Sequence, residues 1–188
     1  MLLLLGVSVL RLTTACQDGS SVEPRHRSEQ ALSGGQGTYL RQSSSLIRAV
    51  ADLSERAGKP VFALRLTIDT RRVLLQAQDP IHPLRVRQYE YRDGAVFGPV
   101  PVRLEGEGHL EDNLFPLSEL SAAAIPDLAA RAANRVDPRN GKVSRVVARR
   151  NLPQSVDVRL RVYVTSPILD GQVDADAQGR LLDSSCDG

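Results

Sequence analysis

The chain has 188 residues, of which 41% are hydrophobic and 24% are charged, and its formal net charge is +2 at neutral pH. These values fit one soluble domain or two small ones, and they give no electrostatic reason to expect a nucleic acid partner. Lys59 and Lys142 are the only lysines among 24 basic residues. The preference for arginine fits either the codon bias of a GC-rich genome or anion binding by guanidinium groups.

The chain begins with an apolar run over residues 1–10, which has the length of a signal-peptide core and is too short to cross a bilayer as a helix. It leads into Leu12-Thr13-Thr14-Ala15-Cys16, in which small residues precede a cysteine. This segment resembles a bacterial lipobox, although Thr13 stands where the family usually has leucine. The resemblance implies a signal peptide over residues 1–15 and a lipid on Cys16 that anchors the protein to a membrane. A secretory signal cleaved near Ala15 is the alternative.

The residues after Cys16 indicate in which membrane the protein is located and how its folded domain is connected to the anchor. Gln17 follows the cysteine in place of the aspartate that retains lipoproteins in the inner membrane, so the resemblance implies the bacterial outer membrane, facing the periplasm. Residues 16–42 are rich in serine, glycine, glutamine and charge, a composition that predicts a flexible tether. Cys186 is the second of two cysteines, and it is a candidate disulfide partner only if Cys16 carries no lipid.

Residues 43–104 predict a first unit, in which one helix is followed by several strands. Apolar residues recur at helical spacing until Gly58 and Pro60 stop the helix. In the next segment Phe62, Leu64, Leu66 and Ile68 alternate with more polar residues, which predicts a strand with one buried face. Further strands are expected at residues 73–78, 84–91 and 95–104, the last two joined by a hairpin at Asp93-Gly94.

Residues 105–116 predict a loop, after which the pattern starts again in a second unit over residues 117–188. The helix of this unit begins near Ser118, is kinked or restarted by Pro126 and ends before Gly141. Strands are expected at residues 143–150, 155–165, 171–176 and 180–183. The comparable positions of the hairpins at Gly94 and Gly179 suggest an imperfect duplication.

The element order predicts an α+β protein of two tandem units, each a helix followed by an antiparallel meander, with the helices packed on one face of the sheet or sheets. This order, the turn Asp176-Ala177-Gln178-Gly179 and the hairpin from Tyr89 to Gly94 resemble the PepSY-like and beta-lactamase-inhibitor-protein-like group of exported bacterial proteins over residues 43–183. The resemblance implies binding or inhibition instead of catalysis. It carries no partner-site residue over to this chain.

Two pairs of side chains are candidates for contact with a partner. Arg159 and Arg161 share a strand face, where they either join other arginines in a surface for phosphate, lipid headgroups or an acidic partner, or lie on a solvated face paired with carboxylates. Tyr89 and Tyr91 also share a strand face. On the open side of a sheet they would anchor a partner protein, whereas under a helix they would belong to the core.

Catalytic and metal chemistry find little support in the sequence. His109, beside Glu107 and Glu111, is the one candidate for an acid–base pair. The composition of this loop favours the alternative, a mobile acidic loop. The acidic run of residues 170–176 lacks the EF-hand spacing, and no cysteine–histidine cluster or nucleotide fingerprint is present, so we predict no metal and no cofactor. The main hypothesis is a non-enzymatic, lipid-anchored protein that binds an envelope component. The alternatives are a hydrolase that uses the His109 loop and a carrier with an enclosed apolar cavity.

Overall fold

One antiparallel sheet of eight strands carries the fold in the computed structural model, which describes residues 39–105 and 108–182. Two short 3-10 turns, Leu117–Glu119 and Ala122–Ala124, precede the last helix. The elements in chain order are α1 (Ser43–Ala57), β1 (Phe62–Asp69), β2 (Val73–Gln78), β3 (Val86–Arg92), β4 (Ala95–Val102), α2 (Leu110–Asn113), β5 (Phe115–Pro116), α3 (Ile125–Val136), β6 (Lys142–Arg150), β7 (Val158–Thr165) and β8 (Asp170–Asp176). The predicted α+β class is confirmed.

The strand order is β4-β3-β2-β1-β6-β7-β8, and the short β5 pairs with the start of β1. Because β1 and β6 pair through Leu66 with Ala148 and Ile68 with Val146, both predicted units belong to one continuous sheet. Each half runs outward from this central pair as a meander. The match to two tandem units is partial, since the second half has three strands and an isolated bridge from Ala175 to Leu181 where the first half has four strands.

The long helices cover the same face of the sheet, as predicted. Helix α1 packs on β2, β3 and β4, and α3 packs on β6, β7 and β8. Their apolar stripes meet the inward-facing side chains of the strands in one hydrophobic core, which includes Leu46, Leu53, Leu66, Ile68, Leu75, Ile125, Leu128 and Leu160, all fully buried. No helix among the described residues has the length and apolar character needed to cross a bilayer.

A β-bulge changes which side chains of β1 face the core. The register of β1 against β2 shifts between Ala63 and Arg65, so Ala63 is buried and Phe62 is 41% exposed. The predicted inward face is therefore wrong at Phe62 and Leu64 but right at Leu66 and Ile68. The physical reason is that one extra residue in a strand moves every side chain before it to the opposite face.

The folded core reaches further toward the N-terminus than residue 43. Tyr39 and Leu40, which the composition assigns to the tether, are buried. The ring of Tyr39 meets that of Tyr91 edge to face, with 5.9 Å between the ring centroids. Residues 1–38 lie outside the described residues, and they contain the predicted signal peptide, Cys16 and the rest of the tether. Cys186 also lies outside the described residues.

Several predicted boundaries in the second half move. Pro126 lies in the first turn of α3, where a missing backbone N–H removes no helical hydrogen bond, so the proline marks a helix start and not a kink. Strand β7 begins at Val158 instead of residue 155, because a turn closed by the Asn151 N–H on the carbonyl of Asp157 comes first.

Candidate functional site

The face of the sheet opposite α1 and α3 carries mostly polar side chains. In register, Thr67 of β1 pairs with Val147 of β6, Val147 pairs with Arg161 of β7, and Arg161 pairs with Asp174 of β8. Residues that pair in register lie on the same face, so these side chains form one row across the sheet. We call this surface the open face.

Arginines dominate the second row of the open face. Arg149 lies directly opposite Arg159, an arrangement of like charges that is unfavourable unless something else compensates it. Arg65 belongs to the same row, because it precedes Leu66, the partner of Ala148, and Arg149 follows Ala148. On the other side of the first row, Arg145 pairs with Tyr163, and its guanidinium stacks 4.2 Å from the centre of that ring.

The two arginines singled out from the sequence share one carboxylate. The Nε and Nη2 atoms of Arg161 donate to the two oxygens of Asp174 at 2.9 and 3.0 Å, and Arg159 Nη1 is 3.5 Å from the same group. Burial raises the pKa of Asp174, but its contacts with Arg161 and Arg159 outweigh burial and leave the pKa below its usual range. One positive charge of this pair is left without a counter-charge.

The other arginines of this surface are not neutralised by the described residues. Within residues 39–105 and 108–182, no carboxylate lies within 4.0 Å of the guanidinium of Arg65, Arg145 or Arg149. All of these residues are exposed. We define the arginine face as Arg65, Arg145, Arg149, Arg159 and Arg161. This face carries an excess of positive charge, which suits an acidic ligand.

A cleft of about 320 Å³ opens at one end of the arginine face. Strand β1 pairs with β6 from Leu66 onward but with β5 at Phe62 and Ala63, so β5 and β6 diverge between these positions. We call the gap the fork cleft. Its walls include Arg65, Arg149, Arg150, Leu64, Leu104 and Leu110.

Arg150 holds the fork in place instead of facing a ligand. Its Nε donates to the carbonyl oxygen of Leu114 at 2.9 Å, and its Nη1 donates to the carbonyl of Val156. These bonds tie β6 to the residue before β5 and to the loop before β7. The guanidinium therefore has a structural role, while its neighbours Arg65 and Arg149 are left without carboxylate partners among the described residues.

The two candidate tyrosines are core residues, and their proposed role as surface anchors is wrong. Tyr89 and Tyr91 are each 5% exposed and belong to the hydrophobic cluster beneath α1. Burial raises the pKa of both phenols. The strand face that they share is the one that the helices cover. The alternative prediction, that both tyrosines belong to the core, is therefore correct.

His109 also lines the fork cleft, and its side chain is exposed. Its carbonyl oxygen accepts a hydrogen bond from Asn113 Nδ2 at 3.1 Å, but its ring has no hydrogen bond or ion pair with a carboxylate of the described residues. Glu111 does not reach it, and Glu107 lies outside the described residues. The acid–base pair that the hydrolase hypothesis needs is therefore not assembled in the described part of the chain.

The acidic run of β8 is bound by arginines. Asp176 Oδ2 accepts from Arg180 Nε at 2.6 Å, and Asp174 is held by Arg161. In the described residues no group of three or more histidine, cysteine, aspartate or glutamate side chains is placed to hold a metal ion. A second cleft of about 510 Å³ lies between Leu40 and the alanines of α3. Both clefts open to solvent, so neither is the enclosed cavity of a carrier.

Comparison with known proteins gives no significant match: no family model, no curated protein and no solved structure is similar to this chain.

Sequence reasoning found Arg159 and Arg161 but not the fork cleft, because Arg65 and Arg149 are distant in the chain and adjacent only in the sheet. The alternation of charged and apolar residues in β6 and β1 is the one signal that points to them.

Proposed function

We propose that this chain is a non-enzymatic binding module of the bacterial envelope, which is held at a membrane by a lipid on Cys16 and binds the acidic surface of another envelope protein through its arginine face. The observation that carries the proposal is the excess of guanidinium groups at Arg65, Arg145 and Arg149, for which the described residues supply no carboxylate. Guanidinium groups bind carboxylates with two parallel hydrogen bonds, and arginine is enriched at protein interfaces.

The anchor and the location are supported by the sequence. The apolar run followed by Thr13-Thr14-Ala15-Cys16 resembles a lipobox, and Gln17 favours the outer membrane with the domain facing the periplasm. The polar composition up to residue 38 suits a tether between lipid and domain. The repeated order of helix and meander supports the likeness to PepSY-like exported proteins, for which binding is the expected role.

Site-specific photocrosslinking in the envelope of the host tests the proposal. A crosslinking residue at Val147 on the open face should capture a partner, and one at Ala51 on the exposed side of α1 should not. Arg149→Glu should abolish the adduct, because it replaces attraction to an acidic surface by repulsion. Arg48→Glu is the matched control, since it changes the net charge equally on the helical side, where Arg48 is largely exposed.

The outcomes separate the two parts of the proposal. Adducts that form equally from Val147 and Ala51, or that survive Arg149→Glu, would rule out the arginine face as the binding surface. The anchor is tested by labelling cells with a fatty-acid analogue: the label should be incorporated into the wild type and lost in Cys16→Ala. Equal labelling of both would contradict the lipid anchor and leave the binding surface unaffected.

A further inference from the structure

We infer that the fork cleft binds the phosphate group of a phosphate monoester, with Arg65 and Arg149 as its ligands. The inference rests on the proposed binding function and names a ligand for one end of the arginine face. Arg65 and Arg149 each lie one position beyond Leu66 and Ala148, where the β1–β6 pairing ends, and both line the fork cleft. Both lack a carboxylate partner among the described residues, so an anion between them removes their mutual repulsion.

The charge of the pair selects the class of anion. A carboxylate occupies one guanidinium fork with one negative charge. A phosphate monoester carries about −1.5 to −2 at neutral pH and has three terminal oxygens that accept hydrogen bonds, which matches two forks. His109 lines the same cleft with an exposed ring, and it can add an N–H donor.

The walls of the fork cleft hold the two arginines in place and add an apolar surface beside them. Arg150 fixes the divergence of β5 and β6 through backbone carbonyls at Leu114 and Val156, so the two free guanidinium groups stand on a fixed frame. Leucine side chains at 64, 104 and 110 line the other walls and suit an uncharged organic group. Glu105 is the acidic residue of the described lining, and it disfavours placing the phosphate on its side of the cleft.

The same chemistry has two sources, a soluble phosphate ester or the headgroup of an acidic lipid. The full chain in detergent micelles is titrated with glycerol 3-phosphate, and the full chain in lipid nanodiscs is compared with and without phosphatidic acid in phosphatidylcholine. The readout is the NMR signal of the arginine Nε–Hε groups at fixed ionic strength, which reports the site as well as the affinity. Signals of Arg65 and Arg149 should shift and saturate.

Three variants test the assignment. Arg65→Gln and Arg149→Gln should each weaken binding about tenfold or more, because each removes a charged donor of a bidentate contact. Arg65→Lys keeps the charge and loses the fork, so it should weaken binding less than Arg65→Gln. Arg48→Gln is the matched control, since it removes the same charge on the helical side of the domain, where Arg48 is largely exposed, and it should change affinity less than about twofold.

Each outcome of these titrations either supports or overturns the phosphate site. Saturable binding of glycerol 3-phosphate that both cleft variants weaken supports a soluble ester, and binding seen only with phosphatidic acid and lost in the same variants supports a headgroup. No saturable shift with either probe, or equal loss in Arg48→Gln, overturns the inference. If the phosphate arm fails while the Val147 adduct persists, only this inference falls. If phosphate binds while no adduct forms, only the proposed protein partner falls.

Discussion

At the scale of single residues, the arginines of this chain divide into those with a carboxylate and those without one. Arg87 belongs to the first group: its Nε donates to Asp79 Oδ2 at 2.8 Å. Asp79 is almost fully buried at the end of β2, and its other oxygen accepts from the backbone N–H of Ile81 at 2.9 Å. The hydrogen bond from Arg87, together with that from Ile81, lowers the pKa of Asp79 from 3.8 to about 2.

This shift predicts how stability depends on acid. Because the pKa of Asp79 is lower in the folded state than in the unfolded chain, its ionised carboxylate stabilises the fold above about pH 4, and this contribution is lost as the pH falls toward about 2. Asp79→Asn should therefore lower the urea midpoint at pH 6. The difference from the wild type should shrink between about pH 4 and pH 2.

Urea titrations at several pH values measure this difference. Asp127→Asn is the control, because Asp127 is exposed and pairs with Arg131 on the surface of α3, where such pairs contribute little. A difference between Asp79→Asn and the wild type that stays constant from pH 6 to pH 2 would show that the carboxylate acts through packing and not through its charge.

At the scale of elements, local sequence signals were sufficient to predict turns, but they were not sufficient to predict the register of the strands. The turn at Asp93-Gly94 could be predicted because both residues adopt positive φ, 51° and 78°, and this dipeptide favours that conformation. The bulge in β1 could not, since Phe62 and Leu64 continue the alternation of Leu66 and Ile68 without a break. Only the pairing of Ala63 with Ala77 moves Phe62 to the open side.

The junction of α3 and β6 supports a prediction about stability. A methyl group added at Gly141 would lie 2.5 Å from the carbonyl oxygen of Ala133 and 2.7 Å from that of Asp137. Gly141→Ala should therefore push β6 away from the end of α3 and lower the free energy of unfolding by about 2 to 3 kcal/mol. Chemical denaturation measures the loss.

Gly94→Ala provides the comparison for Gly141→Ala. Gly94 has positive φ but nothing within 4 Å of an added methyl group, so alanine there costs only the backbone strain, about 1 kcal/mol. If both variants lose equal stability, the close contact at Gly141 is relieved by a small shift, and the packing of α3 against β6 is looser than the distances indicate.

At the scale of the whole molecule, the sequence predicts the class but not the site. Periodicity gave the helices, the meanders and the face that the helices cover. It could not give the pairing of β1 with β6, because the residues concerned, such as Leu66 and Ala148, are far apart in the chain. The fork cleft depends on that pairing and on the insertion of β5 beside β1. Arg65 and Arg149 are consequently ordinary surface arginines in the sequence and neighbours only in the fold.

The shared sheet makes a prediction about cooperativity. Leu75 and Leu160 occupy the second strand of each half, both are fully buried, and both belong to one hydrophobic cluster that spans the two halves. If the halves were independent, truncating one leucine would destabilise its own half alone. Since β1 and β6 join them, Leu75→Ala and Leu160→Ala should each lower the unfolding free energy of the whole sheet, by about 2 to 5 kcal/mol.

Urea titrations followed by backbone amide NMR signals in β2 to β4 and in β7 to β8 measure both halves in one experiment. In each variant the two sets of signals should share one midpoint, shifted from the wild type by the same amount. Val147→Ala is the control: it removes fewer atoms from a half-buried side chain on the open face, so it should shift the midpoint less. Separate midpoints, with only the truncated half destabilised, would mean that the β1–β6 pair connects two independently folding units.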